Sequence, residues 1–160
     1  MIKEGEEAPD FELSGSDGGL VKLSDYRGKW IVLHFVNKVF HPSGAFEAMS
    51  FNKLLGEFER MGIVVLGVST DTVEVQRKFV EKYGIKFKLL SDHDENVCKA
   101  YGIKGIFGIV DVTFIISPEG KIVKAIRVPL PGATYQTGNT FNASRHPSHV
   151  LDYLKTVIKD

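Results

Sequence analysis

Residues 29–44, KWIVLHFVNKVFHPSG, decide how this sequence is expected to fold. Trp30–Val36 is a near-continuous apolar run, which predicts a strand that is covered on both faces. Beyond a short loop the period changes. Over 45–60 the apolar residues recur at the helical spacing i, i+3, i+4, i+7, at Phe51, Leu54, Leu55 and Phe58. The stretch therefore predicts a buried strand that leads through a loop into a helix.

The rest of the chain continues this alternation of strands and helices. The predicted order is ββ-β-α-β-α-β-α-β-β-α, which implies the α/β class, with a mixed central sheet, helices on both faces and an N-terminal β-hairpin. The predicted strands, besides the first buried one, are 12–13, 20–23, Ile63–Ser69, 87–90, Val112–Ile116 and 121–128. The further predicted helices are Val73–Tyr83, 94–101 and 148–158.

Composition and charge exclude several classes of protein. The chain has 160 residues, 43% of them hydrophobic and 25% charged, and a formal charge of zero, which fits one globular domain spanning 1–160. A nucleic-acid partner would need a clustered basic excess, so none is expected. Residues 1–7 are too polar for a signal peptide, and no run approaches the ~18 apolar residues of a membrane span. We expect a cytoplasmic protein with no membrane contact.

Cys98 is the single cysteine of the chain. One cysteine cannot form an intrachain disulfide, and it cannot supply a zinc site built from several thiolates. Free cysteines are usually buried and behave as small hydrophobes, so we expect Cys98 to pack in the core.

The segment 129–146 is the longest stretch with no helical or strand pattern. It is rich in Pro, Gly, Thr, Asn and Ser, and it is predicted to be an extended loop. Such a loop is either a mobile surface excursion or a lid or partner-binding element. His146 and His149, three residues apart where the last helix begins, are expected to be surface residues, with a weak metal pair as the alternative.

Six short stretches between residues 5 and 128 share their sequence with one known family. They are GEEAPDF (5–11), VKLSDYRGKW (21–30), GVSTD (67–71), LLSD (89–92), AYGI (100–103) and TFII (113–116). Together they resemble the peroxiredoxin (AhpC/TSA) family, most closely its peroxiredoxin Q or bacterioferritin comigratory protein type. The resemblance implies a thioredoxin-like fold and an antioxidant oxidoreductase as the ancestor of this chain.

The resemblance also implies which residues should carry the chemistry. In that family a cysteine thiolate at a helix N-terminus attacks the peroxide, and a threonine and an arginine stabilise the thiolate. The family pattern Pro-x-x-x-Thr-x-x-Cys falls on Asn37, His41 and Gly44, and the arginine position falls on Asp111. No catalytic residue of the family is therefore intact. A carboxylate in place of the arginine would raise the pKa of a nearby thiol, which opposes attack on peroxide.

The remodelled pocket is expected to be lined by residues from the helix start and from the old arginine position. The candidates are His41, Pro42, Ser43, Gly44, Glu47 and Asp111. His41 and Asp111 form a structural ion pair that fills the vacated space, or a histidine oriented by a carboxylate for general base work, or a divalent metal site together with Glu47. We assign no metal and no cofactor. The face of the sheet to which His34 points is left open, and Ser43 is expected to be the helix N-cap.

The leading hypothesis is a peroxiredoxin-like protein that lacks thiol-peroxidase activity and binds a partner protein or a small polar ligand at the remodelled pocket. A homodimer through the loops around the pocket is one such arrangement. Because Asp111 would oppose an anion, the ligand is expected to be neutral or cationic. Two alternatives remain: a thiol-dependent, peroxide-reducing oxidoreductase that uses Cys98 or an external thiol, and an enzyme based on His41 and Asp111 or on a metal.

Overall fold

The computed structural model describes residues 1–106, 108–128 and 145–158. Its strands are β1 (Glu12–Gly15), β2 (Leu20–Lys22), β3 (Trp30–Val36), β4 (Ile63–Ser69), β5 (Lys88–Ser91), β6 (Lys104–Gly105), β7 (Gly108–Ile109), β8 (Val112–Ile116) and β9 (Ile122–Arg127). Its helices are α1 (Pro42–Arg60), α2 (Val73–Tyr83), α3 (Asn96–Ala100) and α4 (His146–Val157), with one 3-10 turn at Leu23–Tyr26.

Seven strands form one sheet in the order β2-β1-β5-β4-β3-β8-β9. Strands β3, β4 and β5 are parallel, while β1 and β2 on one side and β8 and β9 on the other run antiparallel to their neighbours. The β1–β2 pair is the predicted N-terminal hairpin. The mixed central sheet and the α/β class are therefore confirmed.

Alternation along the central strands sends side chains to two separate cores. We call the face of the sheet that α1, α2 and α4 cover the helical face. Val32 and Val36 of β3 pack there with Phe51 and Val150, whereas the odd-numbered apolar residues of β3 pack on the opposite face with Val97 and Cys98 of α3. Helices thus cover both faces, as predicted.

Several boundaries shift by one to three residues, and three differences from the prediction affect the site or its surroundings. Helix α1 begins at Pro42, because proline suits the first helical position, where a backbone N–H would be unsatisfied. Helix α4 begins at His146, so the predicted extended loop 129–146 is too long at its C-terminal end; residues 129–144 lie outside the described part of the chain. The small β6–β7 hairpin was not predicted, since two-residue strands leave no periodic signal.

The loop that leads from β3 into α1 is anchored by the loop after β4. The backbone N–H of Val39 donates to the carboxylate of Asp71 at 2.9 Å, and the hydroxyl of Ser69 donates to the same oxygen at 2.7 Å. The backbone N–H and the hydroxyl of Thr70 both donate to the carbonyl of Asn37, at 3.0 and 2.7 Å. Parallel pairing of β3 with β4 brings these two loops to the same edge of the sheet, and the anchored loop fixes where α1 starts.

None of the helices within residues 1–106, 108–128 and 145–158 combines the length and the apolar composition that a membrane crossing needs.

Candidate functional site

Gly44 lies buried in the first turn of α1, where the backbone leaves no room for a side chain. A Cβ atom on Gly44 would stand 2.6 Å from the carbonyl oxygen of Lys38. The same carbonyl accepts a hydrogen bond from the backbone N–H of His41 at 3.2 Å, so it is held in a tight turn rather than at the end of a flexible side chain. The β3–α1 loop therefore closes onto the position where a cysteine side chain would begin.

The other candidates at the helix start face solvent. His41 is the N-cap residue of α1, and its Nδ1 lies 3.2 Å from Oγ of Ser43. Ser43 is inside the helix and does not cap it, contrary to the sequence interpretation. His41 and Pro42 are exposed, and Ser43 is half-buried. This surface offers polar groups but no reactive thiol.

The structure does not pair His41 with Asp111. The extended backbone of the N-cap position directs His41 outward, so its contact is Ser43. Asp111 instead lies near Glu47 and His34, whose charges act on its titration. The ion pair considered from the sequence is thus replaced by a different set of partners.

Four buried side chains and the half-buried Asp111 form what we call the buried polar cluster; the four are His34, Glu47, Thr113 and His146. His34 Nε2 lies 3.0 Å from Glu47 Oε1, an ion-pair contact whose angles fall short of a hydrogen bond. Thr113 Oγ1 lies 2.7 Å from His34 Nδ1 and 2.7 Å from His146 Nε2. Glu47, Thr113 and His146 are fully buried, and His34 is 4% exposed. The cluster joins β3, α1, β8 and α4 beneath the helix start.

Sheet register explains why the cluster forms. His34 and Thr113 are direct partners in the β3–β8 pair, and the parity of Val32 and Val36 turns His34 to the helical face. A polar side chain buried on that face needs hydrogen-bonding partners from the helices above it. Thr113 supplies the hydrogen bond to His34 and is itself bonded to His146 of α4, while Glu47 of α1 supplies a charged contact. This settles the orientation of His34, which the sequence left open.

The prediction that His146 is a surface residue is wrong. It is fully buried at the first position of α4, and its ring lies 5.6 Å from that of His34. Sequence reasoning also missed Thr113. The available signal was His34 itself, because a histidine at a core-facing position of a buried strand requires partners.

Burial sets the protonation of the cluster. Burial is the main cause that raises the pKa of Asp111 to about 7; the negative charge of Glu47 and the hydrogen bond to Glu47 act in the same direction, while His34 and the Asn37 N–H oppose it. The pKa of His146 is held well below its ordinary value by burial, and then by the charges of His34 and His149. The cluster therefore places two carboxyl groups, one of them with a raised pKa, near the helix start, where the resemblance implies a cation.

No group of three or more His, Cys, Asp and Glu side chains within the described ranges is arranged to hold a metal ion. The metal site considered from His41, Glu47 and Asp111 fails for the same reason as the ion pair: His41 points away from the two carboxylates.

Cys98 lies on the far side of the sheet from Gly44. It is fully buried in α3, within the core opposite the helical face. Burial raises the pKa of its thiol well above the ordinary value, and a hydrogen bond to Asp92 and the charges of Asp92 and Glu95 raise it further. Cys98 packs in the core, as its residue type predicts, and cannot reach the helix start.

Several large apolar side chains around the helix start are exposed, and we call them the apolar rim. They are Phe40 (44% exposed), Phe46 (57%), Met49 (38%) and Ile106 (95%). Phe40 stacks edge-on against Phe79 of α2 with ring centroids 5.3 Å apart. Ile106 belongs to the β6–β7 turn, whose Gly108 approaches the side chain of Asn37. The rim therefore borders both the helix start and the loop that leads into it.

Comparison with known proteins places this site in context. The family model described as AhpC/TSA family matches residues 5–125. Peroxiredoxin Bcp of Bacillus subtilis is 39% identical over 134 residues, covering 79% of this chain and 85% of the relative. Peroxidoxin BcpB of Mycobacterium tuberculosis superimposes with a TM-score of 0.84 at 28% identity over 99% of this chain and 100% of its own. Bacterioferritin comigratory protein of Xanthomonas campestris does so with a TM-score of 0.82 at 33% identity over 96% and 98%.

These matches cover most of each protein and agree with the mixed sheet and its four helices. The predicted resemblance to the Bcp and peroxiredoxin Q type and the thioredoxin-like fold are thereby confirmed. The chain belongs to the AhpC/TSA family.

Proposed function

We propose that this member of the AhpC/TSA family does not reduce peroxides through a thiol, and that it acts by binding a partner protein or a small polar ligand around the start of α1. One observation carries the proposal. Gly44 has no functional group, and the Lys38 carbonyl 2.6 Å from its missing Cβ closes the position.

The charges around the start of α1 also argue against peroxide reduction by a thiol at this position. A thiolate at the start of α1 would lie near the carboxyl groups of Glu47 and Asp111, which disfavour a second negative charge. The first-turn N–H groups of α1 still lack intrahelical partners and can donate to a polar ligand. The ligand that fits this combination is neutral or cationic and carries a hydrogen-bond acceptor.

The apolar rim supports a protein partner. Exposed large apolar side chains that cluster around one feature are typical of interaction surfaces. Phe46 and Met49 are three residues apart on α1 and so lie on the same side of the helix. A second copy of this chain is the simplest partner, because two such rims would bury each other's aromatic groups.

A second candidate function is thiol-dependent peroxide reduction, which the relatives favour by name. The Xanthomonas campestris relative has an alkyl peroxide reduction activity. In this chain such a reaction would depend on Cys98 or on an external thiol. The further alternative, an enzyme based on His41 and Asp111, has lost its geometric basis because these residues are not in contact.

Peroxide consumption separates the two candidates. We expect the purified chain, supplied with hydrogen peroxide or an alkyl hydroperoxide and a dithiol reductant, to consume peroxide no faster than the protein-free reaction. A Cys98→Ser variant should behave identically, because the buried thiol takes no part. Turnover by the native chain that disappears in Cys98→Ser would establish the thiol peroxidase instead.

Self-association is tested by sedimentation over a range of concentrations. We expect Phe46→Ser and Met49→Ser to weaken dimerisation by at least about fivefold, since removing a buried aromatic or methionine contact costs about 1–3 kcal/mol. Leu20→Ser is the matched control, because Leu20 is 69% exposed but lies on β2, away from the helix start. A chain that stays monomeric throughout, or one that Leu20→Ser weakens equally, would remove the second copy as the partner.

The raised pKa of Asp111 predicts a pH-dependent stability. Between about pH 4 and pH 7 the folded state keeps a proton on Asp111 that the unfolded chain has lost, so this residue's contribution to stability falls as pH rises through that window and is constant above it. Asp111→Asn removes the effect. The variant should therefore gain stability relative to the native chain between about pH 4.5 and pH 7.5.

The gain is at most about 4 kcal/mol, because each tenfold change in proton affinity corresponds to about 1.4 kcal/mol and partial solvent contact lowers it. Urea unfolding at the two pH values measures it. His146 has the opposite effect, because its lowered pKa makes its contribution to stability fall as pH falls. This contribution is present in both proteins, so it cancels when their free energies of unfolding are subtracted. A difference that is the same at both pH values would show that Asp111 ionises normally.

A further inference from the structure

The hydroxyl of Thr113 lies between two buried imidazole rings, and it has one hydrogen for two hydrogen-bond contacts. Its Oγ1 is 2.7 Å from His34 Nδ1 and 2.7 Å from His146 Nε2. Both separations are hydrogen-bond distances, and a hydroxyl has one hydrogen to donate. The oxygen could accept from both rings, but its hydrogen would then have no partner among the described residues, because Thr113 Oγ1 makes no third contact there. A buried hydroxyl hydrogen is rarely left unpaired, so the favoured arrangement has one ring nitrogen accepting from Thr113 while the other donates to it.

We propose that Thr113 couples His34 to His146, so that protonation of His34 and a change of tautomer at His146 are one event. The proposal concerns the buried polar cluster alone and does not rest on the proposed function.

The carboxylate of Glu47 determines which ring nitrogen of His34 always carries a proton. Glu47 Oε1 lies 3.0 Å from His34 Nε2, and although the angle falls short of a hydrogen bond, a negative oxygen this close favours an N–H over a lone pair on that nitrogen. His34 therefore carries a proton on Nε2 whether its ring is neutral or charged. What changes on protonation is Nδ1, the nitrogen that faces Thr113.

When His34 is neutral, its Nδ1 is a lone pair and accepts the hydrogen of Thr113. The Thr113 oxygen then accepts from His146, whose proton is on Nε2. His146 Nδ1 is left as a buried lone pair with no partner among the described residues.

When His34 is charged, both bonds of Thr113 reverse. His34 Nδ1–H donates to Thr113, Thr113 donates to His146 Nε2, and the proton of His146 resides on Nδ1. The count balances with one proton taken from solvent. An N–H bond forms at His146 Nδ1, the Nε2–H bond breaks as a new O–H bond forms at Thr113, and the old O–H bond breaks as Nδ1–H forms at His34.

The surrounding charges decide where the proton stays. His34 faces the carboxyl groups of Glu47 from α1 and of Asp111, which directly precedes β8. His146 faces His34 and, on its own helix, His149, and no carboxylate is among the groups that shift its titration. The low pKa of His146 agrees with a positive charge that resides on His34, because reversal of the two Thr113 hydrogen bonds moves the added charge from His146 to His34.

Imidazole nitrogen chemical shifts, followed through a pH titration of isotope-labelled native protein, distinguish the two tautomers of a histidine. We expect His146 to move from the Nε2–H to the Nδ1–H form at the same midpoint at which His34 becomes charged.

Two variants of Thr113 complete the test. Thr113→Val removes the hydroxyl at nearly constant volume and should separate the two events, whereas Thr113→Ser keeps the hydroxyl and should preserve the common midpoint. A native protein in which His146 keeps one tautomer while His34 titrates would overturn the proposal. A folded native protein in which His34 never changes charge would also overturn it. The same holds for a Thr113→Val variant in which the charging of His34 and the tautomer change of His146 still share one midpoint. If Thr113→Val does not fold, the titration of the native protein still tests whether the two histidines change at one midpoint.

Discussion

The loop between β3 and α1 lies against the first helical turn only because residue 44 has no side chain. The Lys38 carbonyl occupies the space that a Cβ would need, and it is held there by the N–H of His41. Asp71 and Thr70 hold the same loop from the other side through Val39 and Asn37. This closed arrangement lies directly before the first turn of α1, the helix that carries Glu47.

Beneath that turn the buried polar cluster brings two carboxyl groups and two imidazole rings together. Unpaired buried charges are strongly unfavourable, so each member is stabilised by a partner from another element. Glu47 faces His34, His34 faces Thr113, and Thr113 faces His146. Four elements are thereby joined by polar contacts on a sheet face that is otherwise apolar. The arrangement gives the fold a specific register but offers no group that can transfer electrons to a peroxide.

Periodicity predicted most of the fold, because long strands and amphipathic helices leave a clear pattern. Trp30–Val36, Ile63–Ser69, Val73–Tyr83 and Val112–Ile116 were placed to the residue. The site was predicted less well. Glu47 and Asp111 were predicted to lie together in the remodelled pocket, and they do lie near each other. The histidine beside them was predicted to be His41, but it is His34. The partners of a side chain depend on strand register and on the long-range docking of α4, and neither is encoded locally. His146, 112 residues after His34, illustrates this.

The most direct test returns a thiol to residue 44. We expect Gly44→Cys to lose about 1–3 kcal/mol of stability, because its Cβ meets the Lys38 carbonyl, and Gly44→Ala to lose a similar amount without any thiol. The new thiol should titrate no lower than the ordinary value of about 8.5, because carboxyl groups replace the family's cation. Its reaction with peroxide should accordingly be slow. A Gly44→Cys protein of undiminished stability, with a thiol pKa well below that value and rapid peroxide turnover, would contradict the account.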